Sequence, residues 1–211
     1  HPWINKAMER AQKKVETRNF DIRKTLLKFD DVMNDQRQVI FSQRYKILKE
    51  DGVQEIINDF IDELVKNLQK SIDSYQKSND EKYIIEIKNL TGNSLTDEEI
   101  INIISNKNKS FYTEIKKIFT AKQKIRINVI GNEQNKALEK KIFLQVMDFS
   151  WRSHLQYLEQ LRQVIGLRQY GQKDPLSEFK KEAFNLFENL LIKIKNDLIK
   201  VLLNLNLVID E

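Results

Sequence analysis

The chain has 211 residues, of which 32% are charged and 40% hydrophobic, and its formal net charge is +5. It has no cysteine and two histidines, which excludes disulfide frameworks, thiolate nucleophiles, Cys-based zinc sites and His-rich metal centres. No apolar run approaches the ~20 residues that span a bilayer, so we expect a soluble protein. The five glycines are scattered and none precedes a lysine, so a phosphate-binding glycine loop is not expected. The stretch between Pro2 and Pro175 is free of proline, which favours an all-α protein of long helices.

The excess positive charge is concentrated at one end of the sequence. Residues 1–51 carry a net charge of +4, residues 52–131 are neutral, and residues 132–211 carry +1. A basic helix face is suited to nucleic acid, an anionic membrane surface or an acidic protein, and it is also typical of a solvated surface. The balanced remainder of the chain weakens a nucleic-acid role.

The first segment, 1–51, predicts one long helix. Residues 5–50 contain no glycine or proline, and apolar residues recur at steps of 4, 3, 4, 7 and 7, with glutamines at the skipped positions 36 and 43. About 45 residues of helix extend ~68 Å, longer than a globule of this mass is wide, so the helix is expected to act as a spine. Its apolar positions are Ile22, Leu26, Phe29, Met33, Ile40 and Ile47.

The middle segment, 52–131, predicts a bundle of short helices. Helices are expected at 53–77, 83–89, 97–105 and about 110–130, separated by loops at 78–80, 91–94 and 106–109. Thr96 and Glu99 have the spacing of a capping box. The bundle is predicted to be an insertion between the longer helices.

The last segment, 132–211, predicts a helical hairpin. One helix is expected over 133–167 and another from Pro175, with Asp174 as its N-cap. The tip, residues 168–173, is predicted to be a turn in which Gly171 adopts positive φ. Together the segments predict an elongated scaffold of long helices, 1–51 and 132–211, that carries the inserted bundle. The apolar positions of the helix that is expected to begin at Pro175 are Phe179, Ala183, Leu186, Leu190, Ile194, Leu198, Val201 and Leu205.

Few residues of the sequence indicate a catalytic or metal-binding role. Asp30, Asp31 and Asp35 are the densest carboxylate group, and contact with basic residues of another domain is favoured over a metal or acid–base site. His154 has no nucleophile or orienting acid paired with it in sequence, so it is expected to be a packed or surface residue. Trp151 lies in an apolar stripe and is expected in a core or an intramolecular interface. No catalytic residue, metal site or cofactor is predicted in this chain.

The tip is the most informative local feature. Arg168, Tyr170 and Lys173 crowd the end of a rigid hairpin, and tyrosine combines an aromatic body with a polar group that suits varied surfaces. A plain solvent-exposed turn and a contact tip both fit the pattern. Two further interpretations are a free-standing coiled-coil adaptor and a basic nucleic-acid-binding helical protein. The adaptor would self-associate through Ile22, Leu26, Phe29 and Met33.

Long runs of the sequence resemble the helical scaffold of the SecA family, the bacterial preprotein translocase motors. They are HPWI at 1–4, AQKKVETRNFDIRK at 11–24, DDVMNDQR at 30–37, WRSHL at 151–155 and LRQVIGLRQYGQKDP at 161–175. The resemblance covers 1–50 and about 140–190, whereas 52–131 is similar chiefly by position and would be the helical wing. The chain would be the C-terminal part of a longer motor.

The resemblance implies that the chain couples ATP hydrolysis to the movement of preproteins. Family motors hydrolyse ATP, with Mg, between two nucleotide-binding domains that are absent here, and drive unfolded preproteins through the SecYEG channel. The hairpin would be the two-helix finger that enters the channel mouth. The scaffold would contact the motor domains, and the protein would lie in the cytoplasm at the inner face of the plasma membrane. Channel or substrate contacts are expected at Arg168, Gln169, Tyr170, Gly171 and Lys173, and motor-domain contacts at Arg23, Asp30, Asp31, Asp35 and Trp151.

Overall fold

The part of the chain that the structure describes is almost entirely helical. This computed structural model describes residues 2–50, 52–78, 81–91, 95–105 and 111–205, and within these ranges there is no strand. The predicted all-α class is therefore confirmed. The helices are α1 (Pro2–Lys49), α2 (Gln54–Ser78), α3 (Lys82–Leu90), α4 (Asp97–Ser105), α5 (Phe111–Ile130), α6 (Asn132–Val164) and α7 (Pro175–Asn204), and a 3-10 helix (Ile165–Gly171) follows α6.

Helix boundaries follow local signals in the sequence. Thr96 Oγ1 accepts a hydrogen bond from the Glu99 amide at 3.3 Å, and the Thr96 amide donates to Glu99 Oε2 at 2.8 Å, so the capping box is confirmed. The Ser177 amide donates to Asp174 Oδ2 at 2.9 Å, which confirms the N-cap of α7. The loops expected at 78–80, 91–94 and 106–109 fall partly or wholly outside the described residues. None of the described helices is long and apolar enough to cross a membrane.

The residues divide by packing into two compact units. Unit 1 comprises His1–Ser42 and Arg152–Asn189, and unit 2 comprises Gln43–Trp151 and Leu190–Glu211. The segment boundaries expected at 51 and 131 remain a prediction. Each unit has its own buried core.

In unit 1, α1 packs on the hairpin of α6 and α7. Phe29 and Phe179 meet edge to face, with ring centroids 4.9 Å apart. The predicted apolar seam of α1 is only partly buried, because Phe29 and Ile40 lie in cores whereas Ile22 and Leu26 are exposed. The core cluster of unit 1 is Phe29, Leu158, Leu161, Ile165, Phe179 and Ala183.

A buried glutamine explains a polar position in the apolar seam of α1. The Gln36 side chain donates to the Ala183 carbonyl at 3.0 Å, and its Oε1 lies 2.8 Å from Nε2 of the buried His154. Since the amide oxygen can only accept, His154 Nε2 must donate. One amide thus links α1, α6 and α7, and burial lowers the pKa of His154.

In unit 2, α2 packs on α3 and α5, α3 packs on α4, and α4 packs on α5. Phe60 of α2 meets Phe143 of α6 edge to face at 5.7 Å. The predicted core positions Ile57, Ile61 and Leu64 are buried, and those at 68 and 72 lie outside the described side chains.

The prediction that Val201 lies on the apolar face of α7 was wrong, because its side chain is exposed. A helix repeats every 3.6 residues, so steps of 3 and 4 that start at Phe179 drift around the helix toward its end. The buried residues in this last part of α7 are Leu198, Ile199, Leu202 and Leu203.

A buried ion pair lies among the helices of unit 2. Arg126 and Glu139 are each 2% exposed, and Arg126 Nη2 lies 3.1 Å from Glu139 Oε1. Arg126 Nε donates to Asn135 Oδ1 at 3.2 Å, and its Nη1 donates to the Leu202 carbonyl at 3.0 Å. Asn135 and Gln123 donate to the same carboxylate oxygen of Glu139. The network joins α5, α6 and the end of α7.

Candidate functional site

The tip is a compact turn. The prediction of an α-helix to residue 167 was wrong by a few residues, because α6 ends at Val164 and the 3-10 helix continues the chain to Gly171. The Gln172 amide donates to the Gln169 carbonyl at 3.1 Å, and the Lys173 amide approaches the Arg168 carbonyl at 3.4 Å. These bonds supply partners for carbonyls that a helix end leaves unpaired.

The left-handed residue of the tip is Gln172, with φ of 59°, and the prediction of positive φ at Gly171 was wrong. The bond from the Lys173 amide to the Arg168 carbonyl is the outer bond of a Schellman motif, and that motif places the left-handed residue immediately before Lys173. Gly171 is the last residue of the 3-10 helix, and a Cβ added there would meet nothing within 4 Å.

Two side chains of the tip form ion pairs with α7, and a third projects into solvent. Arg168 Nη1 lies 2.8 Å from Glu178 Oε2, and Nη2 pairs with Glu182. Lys173 Nζ lies 3.5 Å from the same Glu178 oxygen. Tyr170 is 91% exposed, so its ring projects from a turn that other side chains hold. The other two predicted contact residues, Gln169 and Gly171, are also exposed.

Hydrogen bonding favours the charged forms of three groups around the tip. The Arg168 guanidinium lowers the pKa of Glu178, and Glu178 raises the pKa of Arg168 in return. The Ser177 hydroxyl lowers the pKa of Asp174 at the start of α7. All three groups therefore stay charged at neutral pH.

The predicted acidic group of α1 does not form a cluster that could hold a metal, and the described residues contain no such cluster. Asp30 Oδ1 lies 2.9 Å from Arg162 Nη1 of α6, a partner that the sequence did not indicate. Asp31, Asp35 and Arg23 are exposed. The group thus offers charge on the surface of α1, with Asp30 held by the hairpin.

Trp151 and His154 are both buried, as expected for packed residues. Trp151 is 7% exposed and belongs to unit 2, whereas His154 belongs to unit 1. The hydrogen bond between His154 and Gln36 gives the imidazole a structural role in joining α6 to α1.

The first half of α1 carries solvent-exposed apolar side chains. Residues 2–28 are exposed on every face, so the described part of the chain leaves several large apolar side chains of α1 uncovered. Its exposed large apolar residues are Trp3, Ile4, Met8, Val15, Phe20, Ile22, Leu26 and Leu27.

Comparison with known proteins matches the sequence of this chain to one family model. The family model described as "SecA Wing and Scaffold domain" matches residues 1–206. The chain belongs to the SecA family. The SecA protein translocase subunit of Pelagibacter ubique is 50% identical over 209 residues, which cover 99% of this chain and 24% of that relative.

Two further SecA relatives are also similar to this chain over almost its whole length. The subunit of Hyphomonas neptunium is 39% identical, covering 97% of this chain and 23% of the relative. The subunit of a Wolbachia from Brugia malayi is 42% identical, covering 100% of this chain and 25% of the relative. The chain thus spans about a quarter of the length of the curated SecA relatives that it matches.

Proposed function

We propose that this chain is the scaffold, wing and two-helix finger of a SecA-type translocase motor. In this role it couples ATP-driven motion of the nucleotide-binding domains to the movement of unfolded preproteins through the SecYEG channel. The observation that carries the proposal is Tyr170, which is 91% exposed on a turn anchored by ion pairs at the end of the hairpin. In this role, motor domains outside this chain would bind ATP and Mg and supply the catalytic residues.

The uncovered half of α1 supports a docking role for the motor domains. An apolar surface of this extent is typical of an interface, and basic and acidic residues lie around it. Arg23, Asp31 and Asp35 are exposed and so can contact those domains directly. Asp30 pairs with Arg162, and Trp151 is buried, so its contribution to motor-domain contacts would be indirect, through the packing of α6.

The tip supports contact with the moving chain. An aromatic ring on a preformed turn can contact many sequences, since it needs no shaped pocket. Arg168 and Lys173 stabilise the turn, while Gln169 and Gly171 are exposed on either side of Tyr170 in the chain. The motor would act at the cytoplasmic face of the plasma membrane, with the anionic lipid surface as a further partner for the basic helix α1 and no role for nucleic acid.

The test is a chimera in which this chain replaces the matching quarter of the Pelagibacter ubique translocase. Transport of a preprotein into SecYEG vesicles and ATP turnover are measured together. We expect the chimera to transport, and we expect Tyr170→Ala to lower its transport rate roughly tenfold, as loss of one central aromatic contact does. The helix content and melting of the chimera should not change, because the ring is exposed.

Matched variants make this test specific. Tyr157→Ala removes another exposed tyrosine of unit 1 and should leave transport unchanged, whereas Tyr170→Phe should retain most of it. Equal transport by the Tyr170→Ala and unmodified chimeras would reject the contact role of the tip. A folded chimera that turns over ATP without transporting would reject the coupling role of the chain.

A further inference from the structure

Arg168 connects the tip to two carboxylates on one face of α7. Its Nη1 lies 2.8 Å from Glu178 Oε2, and its Nη2 pairs with Glu182, one helical turn further on. Two carboxylates at this spacing repel each other, and a guanidinium fork between them relieves the repulsion. Lysine offers a single point charge and would not span both. The Arg168 side chain is exposed and those of Glu178 and Glu182 are partly buried, so each single pair is screened by water and the restraint depends on the pairs acting together.

The same residue closes the turn through its backbone. The Arg168 carbonyl accepts the Lys173 amide at 3.4 Å, while Lys173 Nζ lies 3.5 Å from Glu178. Between them Gln172 has a left-handed backbone, in which the Cβ of a residue other than glycine crowds its own carbonyl. Surroundings must hold such a conformation in place. The ion pairs at both ends of the turn supply that restraint.

We propose that Glu178 and Glu182 are positioning residues for the tip: through Arg168 they hold the turn closed and present Tyr170 in one orientation. This inference rests on the proposed function, and it adds residues of α7 that do not touch the preprotein. An aromatic ring held in advance loses less freedom on contact than a mobile one. Loosening the turn should therefore weaken transport although Tyr170 is unchanged.

The first experiment measures amide hydrogen exchange at Gln172 and Lys173 in the 211-residue chain. Glu178→Gln should raise these exchange rates by about two- to fivefold, the range expected for exposed and partly exposed ion pairs. In an Arg168→Gln background the same substitution should add little, because its partner is already gone. Arg168→Lys should give an intermediate rate. Glu188→Gln removes an exposed carboxylate further along α7 and should change nothing at the tip.

The second experiment places Glu178→Gln in the chimera beside Tyr170→Ala. Faster tip exchange together with slower transport, and no further loss when the two substitutions are combined, supports the proposal. Unchanged exchange overturns it. Faster exchange with normal transport also overturns it if Tyr170→Ala slows transport, because a fixed tip is then not needed. If Tyr170→Ala has no effect either, the proposed function fails and the positioning role fails with it, whatever the exchange shows.

Discussion

Replacing Arg126 by methionine should destabilise unit 2 severely. The substitution leaves the carboxylate of Glu139, 2% exposed, with the amides of Asn135 and Gln123 as its donors, and it removes the donor from the Leu202 carbonyl. Breaking a buried ion pair by removing one partner costs about 3–5 kcal/mol, since the other charge stays buried and uncompensated. This is a large share of the ~5–15 kcal/mol that stabilises a typical domain.

The removal of both charges should be less harmful than the removal of one. In the variant Arg126→Met with Glu139→Met no charge of this pair remains buried, although the side-chain amides of Asn135 and Gln123 and the Leu202 carbonyl each lose a partner. We expect the double variant to regain about 1–2 kcal/mol relative to Arg126→Met alone. If the double variant is more stable than Arg126→Met, the cost of the single substitution comes from the unpaired buried charge of Glu139; if it is less stable, the cost comes from lost contacts.

Urea unfolding followed by tryptophan fluorescence measures the effect in the right unit. The chain has two tryptophans, and Trp3→Phe, at an exposed position, leaves the buried Trp151 of unit 2 as the reporter. Arg44→Met is the matched control, because Arg44 pairs with Asp148 at the same 3.1 Å but with both side chains partly exposed. That control should cost no more than ~1 kcal/mol. An Arg126→Met variant as stable as the control would refute the reasoning.

Two further predictions concern a buried histidine and a helix cap. Burial lowers the pKa of His154 below its ordinary 6.5, so the unfolded chain binds its proton more readily. Unit 1 should keep its full stability above about pH 6.5 and lose part of it as the pH falls toward the lower folded value. Urea unfolding followed by circular dichroism should show this slope, and His154→Gln should reduce it. Thr96→Ala removes the capping oxygen and should cost about 1 kcal/mol, seen as faster amide exchange at Ile100. Thr120→Ala, within α5, should be nearly neutral, and an equal effect of the two would contradict the capping argument.

The helices and their caps could be predicted because their signals are local. The capping box at Thr96 and the N-cap at Asp174 each depend on residues three positions apart, and the structure confirms both. The turn at the tip was harder to predict. Gly171 suits positive φ, but the 3-10 helix extends through it and moves the left-handed position to Gln172.

The pairs between distant residues could not be predicted from one sequence. Arg126 and Glu139 stand in stretches rich in charge, which are typical of solvated helix faces, yet both are buried. The link from Gln36 to His154 joins residues 118 positions apart. From the sequence, Gln36 stood out only as a polar residue at a skipped position of an apolar seam, and the pattern named no partner for it. Asp30 likewise gave no indication of Arg162.

The end of α7 determines when unit 2 can complete its buried hydrogen bonds during synthesis. Its last turn contains no basic residue, and Arg126 and Lys122 of α5 donate to the Leu202 and Leu203 carbonyls instead. During synthesis α5 leaves the ribosome well before α7, so these two hydrogen bonds can form only when the last helical turn arrives. Helix α7 closes unit 2 by supplying those acceptors, and a chain stopped before Leu202 would hold a buried guanidinium with one partner too few.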